Sequence, residues 1–214
     1  MTSLYTVMSQ CDITYYSAMG RWQPGAAGRL AEAALDLYVE RGYEQTTVVE
    51  IAERAGVTAR TFFRYYTDKR EVLFVGSEVL RQRMVDALAA APADATPFEA
   101  VAVALDAVAE ILGTDQRHSA RRQQVLMANT ELRERELIKM SRLADALTEG
   151  LVARGVAQPD ARLAAEAEIT VFRVAFETWV TGPASAELAT LIRDSSAQLG
   201  RLSAAAEART PPVA

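Results

Sequence analysis

The sequence predicts an all-α protein: an N-terminal three-helix unit built around a helix-turn-helix, then a larger helical domain, with about nine helices in total. Three observations predict it. Apolar residues recur three and four positions apart along most of the chain, and no stretch alternates as a strand would. Half of the residues are hydrophobic, with alanine and leucine dominant, which favours helix. Residues 46–71, TTVVEIAERAGVTARTFFRYYTDKRE, hold two short amphipathic segments separated by a glycine turn.

Taken in order, residues 1–20 are polar, carry Tyr5, Tyr15 and Tyr16, and show no helical period. Met19 begins MGRWQP, so residues 1–18 are expected to be an extension from an upstream start codon; the competing reading is an arm that reaches a minor groove. The first helix starts near Pro24, tolerated in a first turn. Leu30, Ala33, Ala34, Leu37, Tyr38 and the stem of Arg41 form its inner stripe, and Gly42 stops it. Thr47 and Glu50 are spaced as a capping box ahead of Val48, Ile51, Ala52 and Ala55. Gly56 ends that helix, and Thr58 caps a second one from Ala59 to about Tyr66.

Asp68 and Glu71 repeat the box spacing, and residues 69–91 are predicted to form one long helix with Val72, Leu73, Val75, Leu80, Met84, Val85 and Leu88 inward. Residues 90–97 break it. Further helices are expected over 97–112, over a short segment containing VLMAN, over 131–154, from Pro159 to about Val180, and over 185–206, with Gly113, Gly155 and Gly182-Pro183 as stops. The predicted domains are a poorly ordered extension (1–20), a helix-turn-helix domain (21–68), a ligand-binding and dimerisation domain (69–208) and a tail (209–214).

The net charge of −5 excludes a generally basic nucleic-acid coat but not a local reader. Residues 21–75 balance eight basic against eight acidic side chains, so the excess acid lies elsewhere. One cysteine, Cys11, permits no internal disulfide, which fits a reducing, cytoplasmic location. With it, the single histidine, His118, cannot make a metal site of the usual kinds. No stretch reaches the length of a membrane span, and the start lacks the basic and apolar regions of a secretory signal. No nucleophile–histidine pair or phosphate loop is present, and Glu131 and Glu134 read as a solvated helix face; no catalytic residue, metal or cofactor is expected.

The second segment carries chemistry suited to DNA. Arg60 and Arg64 lie four residues apart and share a face, with Thr61 beside them and Tyr65 next round. Arginine forks match guanine edges and phosphates. Lys69, at the start of the following helix, is placed to hold a phosphate with backbone N–H groups.

The run T-V-x-x-I-A-x-x-A-G-V-T-x-x-T-F-F-x-Y-Y-x-x-K resembles the DNA-binding signature of TetR-family transcriptional regulators, and the likeness runs from Gly28 to Leu73. By position, the resemblance implies Ala59, Arg60, Thr61 and Arg64 as groove-facing residues. It implies Thr47, Tyr65 and Lys69 as phosphate contacts, with Thr58 capping the recognition helix. Many members have tyrosine where this chain has Phe63, so one phosphate hydroxyl is replaced by a ring suited to a thymine methyl or a sugar edge. Tyr66 stands where a core phenylalanine is usual, so its hydroxyl needs a partner or solvent.

The resemblance also implies a homodimer through the last two helices. Ala164, Ala165, Ala167, Val171 and Ala175 on one, with Leu188, Leu191, Ile192, Ser195, Leu199 and Leu202 on the other, offer apolar and small-residue surface. A pocket for a small apolar or amphipathic effector is expected among Met84, Phe98, Leu105, Leu112, His118, Met127, Met140, Phe172, Phe176 and Trp179, with Arg121 and Arg122 as anchors for an acidic head. RRQQVLMANTELRERELIK resembles a subgroup linked to fatty or acyl-type effectors. The implied function is a repressor released from palindromic double-stranded operator DNA when the effector moves the 69–91 helix. The alternatives are an activator, or a helical enzyme with a vestigial helix-turn-helix.

Overall fold

The computed structural model describes residues 25–207, and every regular element among them is helical. In chain order these are α1 (Ala26–Arg41), α2 (Val48–Arg54), α3 (Ala59–Tyr65), a 3-10 turn (Glu71–Phe74), α4 (Ser77–Ala90), α5 (Pro97–Leu112), α6 (Gln116–Ala128), α7 (Thr130–Ala153), α8 (Gln158–Thr181) and α9 (Leu188–Glu207). The expected extension and tail lie outside the described residues.

The helix starts follow from local chemistry. Thr47 and Glu50 close a full capping box on α2, and Thr58 Oγ accepts the Thr61 N–H at the start of α3. Thr96 and Glu99 repeat the box on α5, with Pro97 in its first turn. Gly42 and Gly56, at φ 89° and 69°, make the turns that end α1 and follow α2.

The chain divides into two compact units, one running to Val79 and adding Arg117–Leu137, the other holding Leu80–Gln116 and the chain from Ile138 onward. This differs from a split at 68/69. In the first unit Leu30, Leu37, Tyr38, Ile51, Phe62 and Leu73 form one core with Val125, Leu126 and Leu132 of α6 and α7. Polar ties surround that core. Arg121 pairs with Asp36 and Arg122 donates to the Leu73 carbonyl and to Glu136; Arg70 reaches Asp68 and Glu131, and Arg135 reaches Glu71. The Arg122 and Arg135 guanidinium carbons stand 5.4 and 5.0 Å from the Phe74 ring centre.

Two local expectations are corrected here. Residues 69–91 are not one helix. Asp68 Oδ1 caps only the short 3-10 turn, accepting from the Arg70 and Glu71 N–H groups, and Gly76 at φ 81° redirects the chain before α4. The break lets Val72 and Leu73 enter the first core, while Leu80, Met84 and Leu88 face the interior of the second unit. Arg41 does not lie along the inner stripe of α1; it is exposed and pairs with Glu50 at 3.0 Å.

In the second unit α8 packs on α5 and α9, and α9 also packs on α5. Ala164, Ala165, Val171 and Ala175 of α8, with Leu188 and Ile192 of α9, are buried within the single chain. They are therefore core residues and not an open association surface. Of the expected set Leu202 of α9 stays exposed, and Leu163 and Val174 of α8, outside that set, are exposed as well. Helix α7 approaches α4 closely where Gly150 meets Leu88: a Cβ at residue 150 would lie 2.4 Å from Leu88 Cδ2.

One buried acid lies between α8 and α9. Glu168 is 2% exposed, and Ser196 Oγ lies 3.1 and 2.9 Å from its two oxygens and donates to them. Burial raises its pKa above the ordinary carboxylate value, against the lowering effect of the serine. A raised folded-state pKa means that its stabilising contribution is complete below about the unfolded value of 4.5 and is lost as pH rises through the folded value. Glu168→Gln keeps the serine bond without the charge. We expect it to raise the thermal midpoint at neutral pH by about 2–4 °C, with the gap closing on acidification. Calorimetry across pH checks this; a gap that stays constant with pH would exclude ionisation as its source.

Candidate nucleic-acid interface

Helix α3 is held by what lies beneath it. Phe62 is completely buried, with the Phe63 and Tyr66 rings 5.5 and 5.4 Å from its own. Tyr66 sits where a hydroxyl needs a partner, and it finds one in the Ala27 carbonyl at 2.9 Å. Burial pushes its phenol up to about 12, so it stays a donor. Tyr38 donates to the Lys69 carbonyl at 2.6 Å, tying α1 to the chain after α3. Arg29 Nε donates to the Ala55 carbonyl at the end of α2, and Arg54 makes a two-bond pair with Glu40 at 3.0 and 2.9 Å. None of these braces carries a local sequence signal, because their partners lie on different helices.

The opposite face of α3 is open. Arg60, Phe63, Arg64 and Tyr65 are exposed, and Ala59 and Thr61 are half-buried beside them. Arg64 Nη2 donates to Tyr65 Oη at 3.2 Å, and its guanidinium carbon lies 4.9 Å from that ring centre. The contact lowers the rotamer entropy that Arg64 would lose on meeting a flat hydrogen-bonding edge or a phosphate. Phe63 presents 59% of its surface, an uncommon exposure for a phenylalanine ring.

The hydroxyls and the lysine are differently committed. Thr58 Oγ is shared between the Thr61 N–H and the Thr61 hydroxyl at 3.2 and 3.1 Å. Thr47 Oγ donates to Glu50 Oε2 at 2.8 Å inside its box, and those hydrogen bonds hold the Glu50 carboxyl below its ordinary range. Lys69 Nζ donates to the carbonyls of Tyr43, Glu44 and Thr46 at 2.8, 3.4 and 3.0 Å and stands 4.3 Å from the Tyr43 ring centre. Its three protons are occupied by backbone. The lysine braces the loop between α1 and α2. Arg70, the next basic residue along the chain, is taken by Asp68 and Glu131.

Residues 30–74 match the family model described as bacterial regulatory proteins, tetR family. Over those residues the chain is similar to the TetR family. It is 39% identical to the HTH-type transcriptional regulator TcmR of Streptomyces glaucescens over 37% of this chain and 35% of that protein. The chain thus spans about a third of that relative, and half of a mycobacterial HTH-type regulator that it also matches. A longer match joins it to the fatty acid metabolism regulator protein of Bacillus subtilis, 26% identical over 76% of this chain and 88% of that one. Among solved structures, the fatty acid degradation regulator FadR from Bacillus halodurans superposes with a TM-score of 0.57 at 25% identity, covering 82% of this chain and 94% of its own.

The residues expected to line a pocket divide between the units. Met84, Leu105, Phe172 and Trp179 are buried in the second unit, and Leu112, Met140 and Phe176 are half-buried there. Phe172, Phe176 and Trp179 form a ladder with ring centres 5.8 and 5.7 Å apart. Trp179 also secures the α8–α9 turn, its indole N–H donating to the Ala186 carbonyl while its own carbonyl accepts from Gln116. His118 and Met127 do not join this group. His118 Nδ1 lies 3.2 Å from Glu32 in the first unit, and Met127 is 44% exposed, because α6 turns Val125 and Leu126 toward the first core. Phe98 is likewise exposed at 47%. Arg121 and Arg122 are spent on Asp36, Glu136 and the Leu73 carbonyl and so are not open anchors for an acid.

Proposed function

We propose that the chain is a ligand-responsive, DNA-binding transcriptional regulator. It acts as a repressor that leaves a palindromic operator when a small apolar or amphipathic molecule binds the second unit. The observation that carries this is α3, anchored inward by Phe62 and turning Arg60, Phe63, Arg64 and Tyr65 outward, within a tetR-family match. Arg60 and Arg64 read base edges; Thr47, Thr58, Thr61 and Tyr65 position the helix on phosphates; Ala59 and Phe63 supply apolar contact. Lys69 acts by fixing the loop behind α2. Such a target places the protein in the cytoplasm. Among the described residues no helix is long and apolar enough to cross a membrane.

One short helix reads few bases, so two copies on a palindrome are needed for useful specificity. The dimer forms through α8 and α9, with Leu163, Val174 and Leu202 in its interface. The long match to a fatty acid metabolism regulator supports an acyl-type effector class. The signal runs through α6 and α7, which complete the core of the DNA-reading unit, and not through a continuous 69–91 helix. The effector need only bind the DNA-incompetent arrangement better than the competent one. No group is assigned to catalysis.

Fluorescence anisotropy on DNA upstream of the protein's own gene, against scrambled DNA and across a salt series, tests the reading. Specific binding is expected to exceed non-specific binding by about a thousandfold or more, with affinity falling as salt rises. Binding equal to that of scrambled DNA, there and across a library of random operators, would sink it.

A further inference from the structure

We propose that Phe63 selects the operator sequence by packing on the 5-methyl group of a pyrimidine, so that each half-site holds a thymine beside the bases met by Arg60 and Arg64. The inference deepens the DNA-reading proposal and rests on it. Its ground is the two-sided chemistry of α3. Phe62 and Tyr66, one turn apart, are buried, so Arg60 and Arg64 run along the middle of the outward face. Thr61 and Tyr65 make the stripe on one side of the arginines, and Ala59 and Phe63 the stripe on the other.

The first flank carries hydroxyls. Tyr65 Oη accepts from Arg64 Nη2 and keeps its own hydrogen to give, and the Thr61 hydroxyl is shared with Thr58. The second flank has no side-chain donor or acceptor. Phosphate oxygens are held by donors, so the hydroxyl flank suits the backbone and the apolar flank suits the base edges. Among the groups that base pairs show in the major groove, the thymine 5-methyl is the apolar one. Phe63 is also held in place for such a contact. Its ring leans edge-to-face on Phe62, with centres 5.5 Å apart and planes 81° apart, and Phe62 is completely buried. A ring fixed in this way and 59% exposed has apolar surface to remove from water and little side-chain freedom to lose. The recognised group is the methyl and not the whole base. A cytosine that carries the same 5-methyl therefore satisfies the ring as well, and binding responds to cytosine methylation at that position.

The test removes one methyl at a time. Duplexes that bind the full chain are enriched from a random library, and each thymine of the enriched sequence is replaced in turn by deoxyuridine, which lacks only the methyl. We expect one thymine per half-site to lose about fourfold in affinity on replacement, as for one buried methyl group. At that position 5-methylcytosine should bind tighter than cytosine by a similar factor. F63A should bind the thymine duplex more weakly and show no difference between thymine and deoxyuridine, with its thermal midpoint unchanged. If F63A does not fold, F63Q takes its place. A wild type indifferent to every deoxyuridine would overturn the assignment. So would a variant that loses affinity yet keeps the full thymine preference, since Phe63 would then touch a sugar or act through packing. An enriched sequence without a methyl effect removes Phe63 and leaves the regulator standing; no enriched sequence at all removes both.

Discussion

Leu126→Ala will destabilise the first unit by about 2–5 kcal/mol, although the residue lies far along the chain from the helix-turn-helix. Leu126 is fully buried and shares a core with Leu30, Leu37, Tyr38, Ile51 and Phe62. Removing most of its side chain loses the transfer free energy and leaves a hole that α1 and α6 close only in part. The ties around it, Arg121 to Asp36 and Arg122 to Glu136 and the Leu73 carbonyl, hold α6 where it is and limit that collapse. Urea unfolding followed by tyrosine fluorescence measures the loss, since Tyr38, Tyr43, Tyr65 and Tyr66 all lie in this unit. Leu137→Ala is the control: Leu137 is 56% exposed, and its change should stay within about 0.5 kcal/mol. Equal effects of the two would remove α6 from the core of the reader. The same physics predicts that a fragment ending near Val79 does not reach a fixed fold, because it lacks Val125, Leu126 and Leu132. The consequence for function is direct: whatever displaces α6 and α7 displaces part of the support on which α3 rests.

Arg64→Ala is expected to weaken specific operator binding by about 1–3 kcal/mol and to leave the thermal midpoint and the dimer unchanged. Arg64 is exposed, its hydrogen bond to Tyr65 joins two exposed side chains, and α8 and α9 lie in the other unit. Lys69→Ala makes the informative contrast. Its ammonium binds three carbonyls around the α1–α2 loop, so its removal should lower the thermal midpoint first and operator affinity as a consequence. Anisotropy, differential scanning calorimetry and sedimentation on the same two variants separate the roles. A drop in the midpoint for Arg64→Ala, or none for Lys69→Ala, would reverse the assignment of reader and brace.

The features legible in the sequence are those whose signal and cause lie within one turn of helix. Thr47 with Glu50 and Thr58 with Thr61 cap their own helices, and the glycines at 42 and 56 take the backbone angles their turns need. The alternation of Phe62 inward with Arg60, Phe63 and Arg64 outward follows from helix periodicity alone. The all-α class and the resemblance of the 28–73 run were therefore determined by sequence. What tertiary structure decided is how charged and apolar groups were shared among helices distant in the chain. Lys69 was read as a phosphate contact because it is basic and starts a segment; three carbonyls more than twenty residues upstream claimed it. Arg121 and Arg122 looked like free anchors until Asp36, Glu136 and the Leu73 carbonyl took them. His118 and Met127 fit a pocket by type, but α6 turned its leucine and valine to the first core and carried them with it. On α8 and α9 the small residues went inward, because alanine faces let helices approach closely, and Leu163, Val174 and Leu202 were left outside. Period and capping are local and survive in the order of residues; the choice of partner is a competition across the whole folded chain, and only the packed structure records who won.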